Sequence, residues 1–282
     1  MNNYLGTIQK YRVLRETKLG YVLTLNGNDE YFLHRNETNF QKLALDDEIE
    51  AFLYADKKGR LALTLFKPTA TVHKIGFARV QDVKQQLGVF LNIGTSKDIL
   101  LSKDDLPINH VEWPQCGDYI IGKLRVKSEK LILKMASKEE ILKQKQAKEL
   151  PLNEKVKAFV YRITPDGVNL VTENWNIVFV YHTNLRKKYR LGEEVMVKVL
   201  SKNETDYTGT LIDQKEIMIK TDRDVLLAYL KKHHGVMAIT EKSDAEAIKK
   251  VFNMSKKAFK AALGNLYKDR LIEIHDDKII LL

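Results

Sequence analysis

One pattern occurs three times along the chain, and this repetition constrains the fold more than any other feature. The copies begin at Gly6, Gly76 and Ala158, so that 70 residues separate the first two starts and 82 the last two. Each copy has a strand, a short break, a second strand entered near a glycine, a turn and a third apolar strand. The glycines are Gly20, Gly88 and Gly167. Because a repeated unit indicates repeated architecture, we interpret most of the chain as a series of similar domains.

Every copy continues through an acidic turn into a fourth strand and a short closing strand. The closing strands read RLALTL, KLILKM and GTLIDQ. Five strands in about 65 residues are too few for a flat sheet that covers both of its own faces, so each copy is predicted to close into a small OB-type barrel. The predicted barrels occupy residues 1–67, 70–136 and 152–218.

A charged segment separates the second and third copies. It reads SKEEILKQKQAKEL and accounts for the larger offset between them. Ser137 followed three residues later by Glu140 is a capping-box pattern, and the remaining residues favour a helix that ends before Pro151. Residues 137–150 are therefore predicted to form a helical linker.

The apolar period changes from two to between three and four after about residue 219, which predicts a different domain at residues 219–282. Helices are expected from Asp222, Asp244 and Ser255, followed by a β-hairpin that turns at Asp276-Asp277. The residues expected on the buried helix faces are Val225, Leu226, Tyr229, Leu230, Ala247, Ile248, Val251, Phe259, Leu263 and Leu266. Three helices and a hairpin are typical of a winged helix, with the third helix in the recognition position. The predicted fold class is multidomain and mainly β, with a terminal α+β domain.

The composition indicates a polyanionic partner. Lys and Arg outnumber Asp and Glu to give a net charge of +10, which favours nucleic acid first and an anionic membrane second. No apolar run reaches the roughly 20 residues that span a bilayer, and the first residues lack the apolar stretch of a secretion signal. The single Cys116 fits a reducing compartment and is expected to be a small packed residue. We expect a cytoplasmic monomer that does not bind membranes.

The middle copy carries a recognisable motif. Between Gly76 and Ile120 it contains GVFLNIG, KDILLSKDDL and a following GD, a combination that resembles the S-one-type RNA-binding domain. Three such units followed by a winged helix that contains SKKAFKAALGNLYKDRLI resemble the conserved virulence factor B family of Gram-positive bacteria. The resemblance covers essentially the whole chain. It implies a cytosolic RNA-binding protein with effects on gene expression.

The resemblance also implies where RNA would bind. S-one barrels hold single-stranded RNA across strands two and three, with aromatic residues and a histidine that ends the third strand. The matching positions are Tyr21, His34 and Arg35 in the first copy, Phe90 in the second, and Tyr181 and His182 in the third. Ser102 replaces the histidine in the second copy, and Asn169 replaces an aromatic residue in the third. These depleted sites predict weak binding by each barrel and useful affinity only from several linked barrels.

Cations are expected to contact the RNA phosphates. The densest basic cluster is LRKKYR, which directly follows the third strand of the third copy. The predicted phosphate contacts are Lys97, Lys103, Arg186, Lys187, Lys188 and Arg190. In the winged helix, Lys256, Lys257 and Lys260 lie near the start of the recognition helix, where they suit phosphates or a protein partner. This helix has no Asn, Gln or Arg early enough to recognise a base edge, so sequence-specific DNA recognition is not expected.

Three alternatives remain beside a non-enzymatic RNA-binding protein without cofactor or metal. A winged-helix DNA-binding regulator would need a dimerisation element, and no heptad seam is present. An adaptor could hold RNA in its barrels and dock to the ribosome or RNA polymerase through the winged helix. A nuclease would need His233-His234 or Asp276-Asp277, but the histidines end a helix facing different directions and the aspartates fit a hairpin turn.

Overall fold

The computed structural model describes residues 4–144, 148–212 and 215–282, and of residues 215–221 it gives the backbone. The chain divides into two compact units, Met1–Leu211 and Ile212–Leu282. The first contains three closed barrels and the second a three-stranded sheet with helices. The predicted fold class is therefore confirmed, while the domain limits at residues 67, 136, 150 and 218 stay predictions.

Each barrel has five strands in the same order. The first consists of β1 (Ile8–Thr17), β2 (Gly20–Thr24), β3 (Tyr31–His34), β4 (Glu48–Ala55) and β5 (Leu61–Thr64). The second consists of β6 (Gly76–Lys84), β7 (Gly88–Asn92), β8 (Ile99–Ser102), β9 (Tyr119–Lys127) and β10 (Lys130–Met135). The third consists of β11 (Lys155–Thr164), β12 (Gly167–Val171), β13 (Ile177–Tyr181), β14 (Glu194–Lys202) and β15 (Tyr207–Thr210). Around each barrel the third strand pairs in parallel with the fifth, and the other neighbours are antiparallel.

The glycine that begins each second strand is explained by close packing against the third strand. A Cβ atom on Gly20, Gly88 or Gly167 would lie 2.0, 2.0 or 2.1 Å from a backbone carbonyl oxygen of the neighbouring strand. Those oxygens belong to Leu33, Leu101 and Val180. Because no side chain fits at such distances, the two strands can approach only where the sequence has glycine.

The barrels pack against one another. Phe52 and Tyr54 of the first barrel share an apolar cluster with core residues of the second barrel. The carboxylate of Glu37, which is buried, accepts a hydrogen bond from Ser96 of the second barrel. Between the second and third barrels, the ring centroid of Phe77 lies 5.4 Å from that of Phe159 and 5.0 Å from that of Trp175. Burial of these rings fixes the barrels relative to one another.

The linker helix is shorter than predicted. Helix α1 (Lys138–Leu142) begins with the predicted capping box, in which Ser137 and Glu140 exchange hydrogen bonds. The prediction of a helix across residues 137–150 is wrong, because α1 ends at Leu142; residues 145–147 lie outside the described residues. Ile141 is fully buried in the cluster between the second and third barrels, so tertiary packing stabilises this one helical turn.

The second unit is a winged helix. Its elements are α2 (Lys215–Lys232), β16 (Val236–Met237), α3 (Ala245–Phe252), α4 (Lys256–Lys268), β17 (Ile272–Ile274) and β18 (Ile279–Leu281). The strands pair in the order β16-β18-β17, and β17 and β18 form the predicted hairpin. Asp244 and Ser255 cap α3 and α4 as predicted. Within the described ranges, none of the helices is both long and apolar enough to cross a membrane.

Two details of the helix predictions are wrong. Helix α2 begins at Lys215 rather than at Asp222. Val225 of α2 is 40% exposed rather than buried. Ala247 and Val251 are also exposed, because the short helix α3 buries only Ile248 and Phe252, which lie one turn apart.

Candidate nucleic-acid interface

Strand pairing shows which side chains occupy equivalent places on the outer faces of the three barrels. The central pair between the second and third strands is Val22 with Phe32 in the first barrel, Phe90 with Leu100 in the second, and Asn169 with Phe179 in the third. Two residues away along the same strands, Gly20 pairs with His34, Gly88 with Ser102 and Gly167 with Tyr181. Because alternate residues of a strand point to one face, these positions form one outward surface on each barrel, in which Val22 is covered and only 8% exposed. We call this surface the platform.

The third barrel has the most complete platform. Phe179 and Tyr181 lie on the same face of β13 with ring centroids 4.7 Å apart in an edge-to-face arrangement. The side chain of Tyr181 is exposed, with 50% relative accessibility. Asn169 pairs with Phe179 on one side and with Arg162 of β11 on the other. Arg162, Asn169 and Phe179 therefore form one row across three strands, and Tyr181 lies beside Phe179 in the next row.

His182 directly follows this platform. Its backbone N–H donates to the carbonyl oxygen of Asp166 at 2.8 Å, and its Nδ1 lies 3.3 Å from the same oxygen. His182 is exposed and opens a short 3-10 turn. These contacts hold the imidazole beside the start of β12, within the predicted binding region.

The platform of the first barrel has one phenylalanine and one histidine, but it does not include Tyr21. Phe32 and His34 lie 6.2 Å apart between ring centroids, and His34 Nδ1 accepts a hydrogen bond from the backbone N–H of Asn36 at 3.1 Å. Tyr21 is 4% exposed and belongs to the barrel core. The prediction that the Tyr21 ring contacts RNA is therefore wrong, because β2 turns this residue inward. Arg35 is exposed and forms an ion pair with Glu16 at 2.6 Å.

The second barrel has the least complete platform. Phe90 lies half-buried in a shallow groove that also contains Asp82 and Leu87. Asp82 is the strand-one partner of Phe90, and the hydrogen bond from Lys84 holds the pKa of its carboxyl group below the usual value. Ser102, at the histidine position, caps a 3-10 turn through the backbone N–H of Asp104. This platform therefore offers one aromatic ring beside a fixed negative charge.

Two of the predicted phosphate contacts instead join barrels. Lys97 donates hydrogen bonds from Nζ to the carbonyl oxygens of Ala55 at 2.7 Å and Asp56 at 2.8 Å in the first barrel. Arg190 of the third barrel binds Asp118 of the second through Nε at 2.7 Å and Nη2 at 2.9 Å. Burial lowers the pKa of Lys97, which is consistent with a structural position. Both predictions of RNA contact are corrected by this geometry.

The remaining predicted cations lie at the surface. Lys187 is exposed, pairs with Glu193 at 2.6 Å and lies 5.0 Å from the ring centroid of Tyr189. Lys103, Arg186 and Lys188 are exposed. Phosphate contact by Lys103, Arg186, Lys187 and Lys188 stays a prediction.

In the winged helix, the three predicted lysines differ in their surroundings. Lys256 is half-buried and donates to the carbonyl oxygen of Ser243 at 2.8 Å, while Lys257 is exposed. Lys260 is exposed and lies 3.9 Å from a carboxylate oxygen of Glu241. The same helix exposes Tyr267, with 59% relative accessibility, which sequence analysis did not single out. Phe32 and Phe179 were also missed, although their alternation with buried neighbours is the signal that identifies them.

The chain is similar to known proteins over most of its length. It is 32% identical over 257 residues to the uncharacterized protein YitL of Bacillus subtilis, covering 90% of this chain and 86% of that protein. It is 30% identical over 281 residues to conserved virulence factor B of Staphylococcus haemolyticus, covering 98% and 94% of the two chains. The chain belongs to the conserved virulence factor B family.

Family models match three parts of the chain. An S1 domain model, the S-one type, matches residues 5–65, and the model for the first S1-like domain of this family matches residues 75–133. The family's winged-helix model matches residues 224–281. None of the three is an enzymatic domain. S-one-type and winged-helix domains together indicate nucleic-acid binding.

A solved relative has the same overall architecture. It is the crystal structure of a multidomain protein with nucleic acid binding domains from Streptococcus pneumoniae TIGR4. The two chains cover each other completely, with a TM-score of 0.67 and 28% identity.

Proposed function

We propose that this protein is a non-enzymatic, cytoplasmic RNA-binding protein, monomeric and active in the regulation of gene expression. It binds single-stranded RNA across the platforms of its barrels, and the third barrel contributes most. The pair of half-buried Phe179 and exposed Tyr181 carries this proposal. An open aromatic pair on an OB barrel is suited to unpaired bases, because stacked bases in a duplex do not offer their faces.

The chemistry of the third platform fits a base and its phosphate. Each base stacked on an aromatic side chain contributes about 1 to 3 kcal/mol. The Asn169 amide can donate to and accept from a base edge, while Arg162 can bind a phosphate or stack on a base. Phe32 and His34 offer a second, smaller platform in the first barrel, which strengthens binding when one RNA reaches both.

The surface of the winged helix is better suited to docking on a protein surface, such as one on the ribosome or on RNA polymerase, than to binding duplex DNA. Its wing exposes Glu273 and Asp277, whose carboxylates repel phosphates where a wing would meet DNA, while Asp276 pairs with Lys242. Tyr267 offers a large exposed ring on the recognition helix, and tyrosine is enriched in protein interfaces.

Fluorescence anisotropy of the full chain tests the RNA proposal. Single-stranded RNA and duplex DNA of the same length are titrated with the parent protein and with Phe179→Ala, Tyr181→Ala and Tyr267→Ala variants. We expect each platform substitution to weaken RNA binding about 5- to 150-fold, the equivalent of one lost stack. Tyr267→Ala is the control and should bind RNA as the parent does.

A Phe90→Ala variant compares the contributions of the second and third platforms to RNA affinity. It removes the single ring of the second platform, so we expect a smaller loss than for Phe179→Ala. A chain that ends at Leu211, before α2, should retain RNA binding. Tighter binding to duplex DNA than to RNA, abolished by that truncation, would show that the winged helix is the binding domain and that the proposal is wrong.

A further inference from the structure

The hairpin formed by β9 and β10 in the second barrel carries a series of cations on its outer face. Lys123 pairs directly with Lys134, Arg125 with Ile132, and Lys127 with Lys130. The alternate positions Leu124 and Leu133 are buried in the barrel core. We call the outward cations of this hairpin the basic ladder: Lys123, Arg125, Lys127, Lys130 and Lys134.

Nearby carboxylates neutralise only one end of the basic ladder. Lys123 forms an ion pair with Glu140 of α1 at 2.5 Å, and Lys134 is close enough to contribute to the lowered pKa of the same carboxyl group. Across the part of the chain that the structure describes, no ion pair is formed by Arg125, Lys127 or Lys130. The far end of the ladder is therefore a concentration of uncompensated positive charge.

This arrangement is unfavourable for the hairpin itself. Like charges directly opposite each other in an antiparallel pair repel, and two such pairs occur in one short hairpin. Lys130 also acts on Lys97: burial lowers the pKa of Lys97, Asp56 opposes the shift, and the charge of Lys130 adds to it. Repulsion that brings no packing gain is typical of a surface selected to bind something.

The turn of the hairpin gives an independent indication. Its two central residues, Ser128 and Glu129, have φ values of 47° and 60°. Two-residue turns of this kind strongly favour Asn and Gly, so a serine and a glutamate here hold a less favoured backbone conformation. Local strain of this type concentrates at functional sites.

The corresponding hairpins of the other barrels are used differently. In the first barrel, Phe52 and Tyr54 of β4 pack against the second barrel. In the third, Ser201 and Thr208 form the equivalent outward pair and hydrogen-bond to each other, while Lys202 pairs with Glu149. The basic ladder is therefore a feature of the second barrel rather than of the repeated fold.

The ladder is continuous with the platform of its own barrel. Phe90 pairs with Leu100, Leu100 with Ile132, and Ile132 with Arg125, so one outward row crosses four strands. A nucleic acid strand that leaves Phe90 along this row meets Arg125 and then the remaining cations. Successive outward residues on a strand are about 6.8 Å apart, which is of the order of the phosphate spacing in an extended single strand.

We propose that the basic ladder is a phosphate track that binds the backbone of single-stranded RNA without regard to base sequence. The inference rests on the proposed RNA-binding function and adds a surface to it. It also assigns the second barrel, whose platform has one ring and a carboxylate, to backbone binding. The ladder supplies affinity and the aromatic platforms of the other barrels supply contacts with bases.

A triple substitution tests the track in the full chain. Arg125→Gln, Lys127→Gln and Lys130→Gln are combined, and the matched control combines Lys231→Gln, Lys249→Gln and Lys250→Gln on exposed faces of α2 and α3. RNA affinity is measured from about 0.1 to 1 M salt with oligo(A), oligo(U) and oligo(C). Each lost phosphate contact reduces the slope of log affinity against log salt by about 0.7, so three contacts reduce it by about 2.

The expected result is an affinity reduced up to about a hundredfold at 0.1 M salt, equally for the three sequences, with curves that converge near 1 M. The thermal midpoint of the ladder variant should equal or exceed that of the parent, because repulsion has been removed. An unchanged salt slope, or a loss no greater than in the control, would overturn the phosphate track. Binding to phosphatidylglycerol vesicles is measured in parallel. If the triple substitution weakens only vesicle binding and leaves RNA binding unchanged, the ladder is a lipid-binding surface and the phosphate track is overturned.

The proposal and the function on which it rests fail differently. If only the ladder proposal is wrong, Phe179→Ala weakens RNA binding while the ladder variant binds RNA as tightly as the parent. If the parent binds no single-stranded RNA at any salt concentration, both are wrong.

Discussion

The ion pair between Arg190 and Asp118 gives the sharpest test of how the second and third barrels are joined. Two hydrogen bonds of 2.7 and 2.9 Å connect the groups, and the side chains are 25% and 8% exposed. Removing one partner of a fully buried pair costs about 3–5 kcal/mol. Because the guanidinium group is one-quarter exposed, solvent screens part of this energy, and we expect about 2 kcal/mol for Arg190→Gln.

A double-mutant cycle separates this pair from the rest of the interface. Arg190→Gln, Asp118→Asn and the double variant are unfolded in urea, and the fluorescence of Trp113 and Trp175 reports on the second and third barrels. A coupling energy of about 1–2 kcal/mol is expected, since the two groups are in direct contact. RNA affinity and its salt slope, measured on Arg190→Gln below its unfolding transition, should match those of the parent.

The opposite outcome would refute the structural reasoning. A coupling energy below about 0.3 kcal/mol falls within the error expected for independent sites. If it were accompanied by a salt slope reduced by about 0.7, Arg190 would be a phosphate contact, as its place in the LRKKYR cluster predicted.

Three further outcomes follow from the structure. Gly167→Ala would place a Cβ atom 2.1 Å from the carbonyl oxygen of Val180, so we expect a loss of more than about 3 kcal/mol in urea unfolding, and an unchanged midpoint would contradict the close strand approach. Phe159→Ala removes a 3% exposed ring and should cost about 3–5 kcal/mol, whereas a loss below about 1 kcal/mol would mean that the interface rings are dispensable. The hydrogen bond from Lys123 lowers the pKa of Glu140 in the folded protein. The stability that Glu140 contributes is therefore present above its unfolded pKa of about 4.3, and it is lost as the pH falls through the lower folded pKa. Glu140→Gln should therefore show a smaller fall in thermal midpoint between about pH 5 and pH 3 than the parent, and parallel pH profiles would contradict this assignment.

The fold could be predicted from sequence because its signals are local. Strand alternation, the repeated glycines and the capping residues Asp244 and Ser255 each act within a few positions of the chain. The platforms could be predicted only in part. Strand alternation leaves a choice between two faces for each strand, because a register error of one residue exchanges the buried and outward residues. In the structure, Tyr21 points into the core and Phe32 points outward. Pairing across strands resolves that choice, and it identifies Phe179 as the partner of Asn169.

The predicted cations show a different limit. Lys97 and Arg190 looked like phosphate contacts because they are basic residues near the ends of strands. Their partners, the carbonyl oxygen of Asp56 and the carboxylate of Asp118, are 41 and 72 residues away in the chain. No local pattern reports a contact at that separation, so charge near a predicted binding surface does not distinguish a ligand contact from a contact between domains. The basic ladder was missed for the related reason that its cations are spread over two strands and become neighbours only through pairing.

The packing between barrels changes how a ligand strand is captured. Domains on flexible tethers must be brought into alignment at each binding event, and the lost freedom of each domain opposes association. Here the apolar contacts around Phe52 and the rings around Phe159 set that alignment when the chain folds. Under the proposed function, an RNA that binds one platform meets the next at a fixed distance and direction, so the ordering of the RNA itself is the main remaining entropic cost. Such a surface should discriminate between RNAs by length and by stiffness as well as by base, since a strand too short or too rigid to follow the path between platforms loses the second contact entirely.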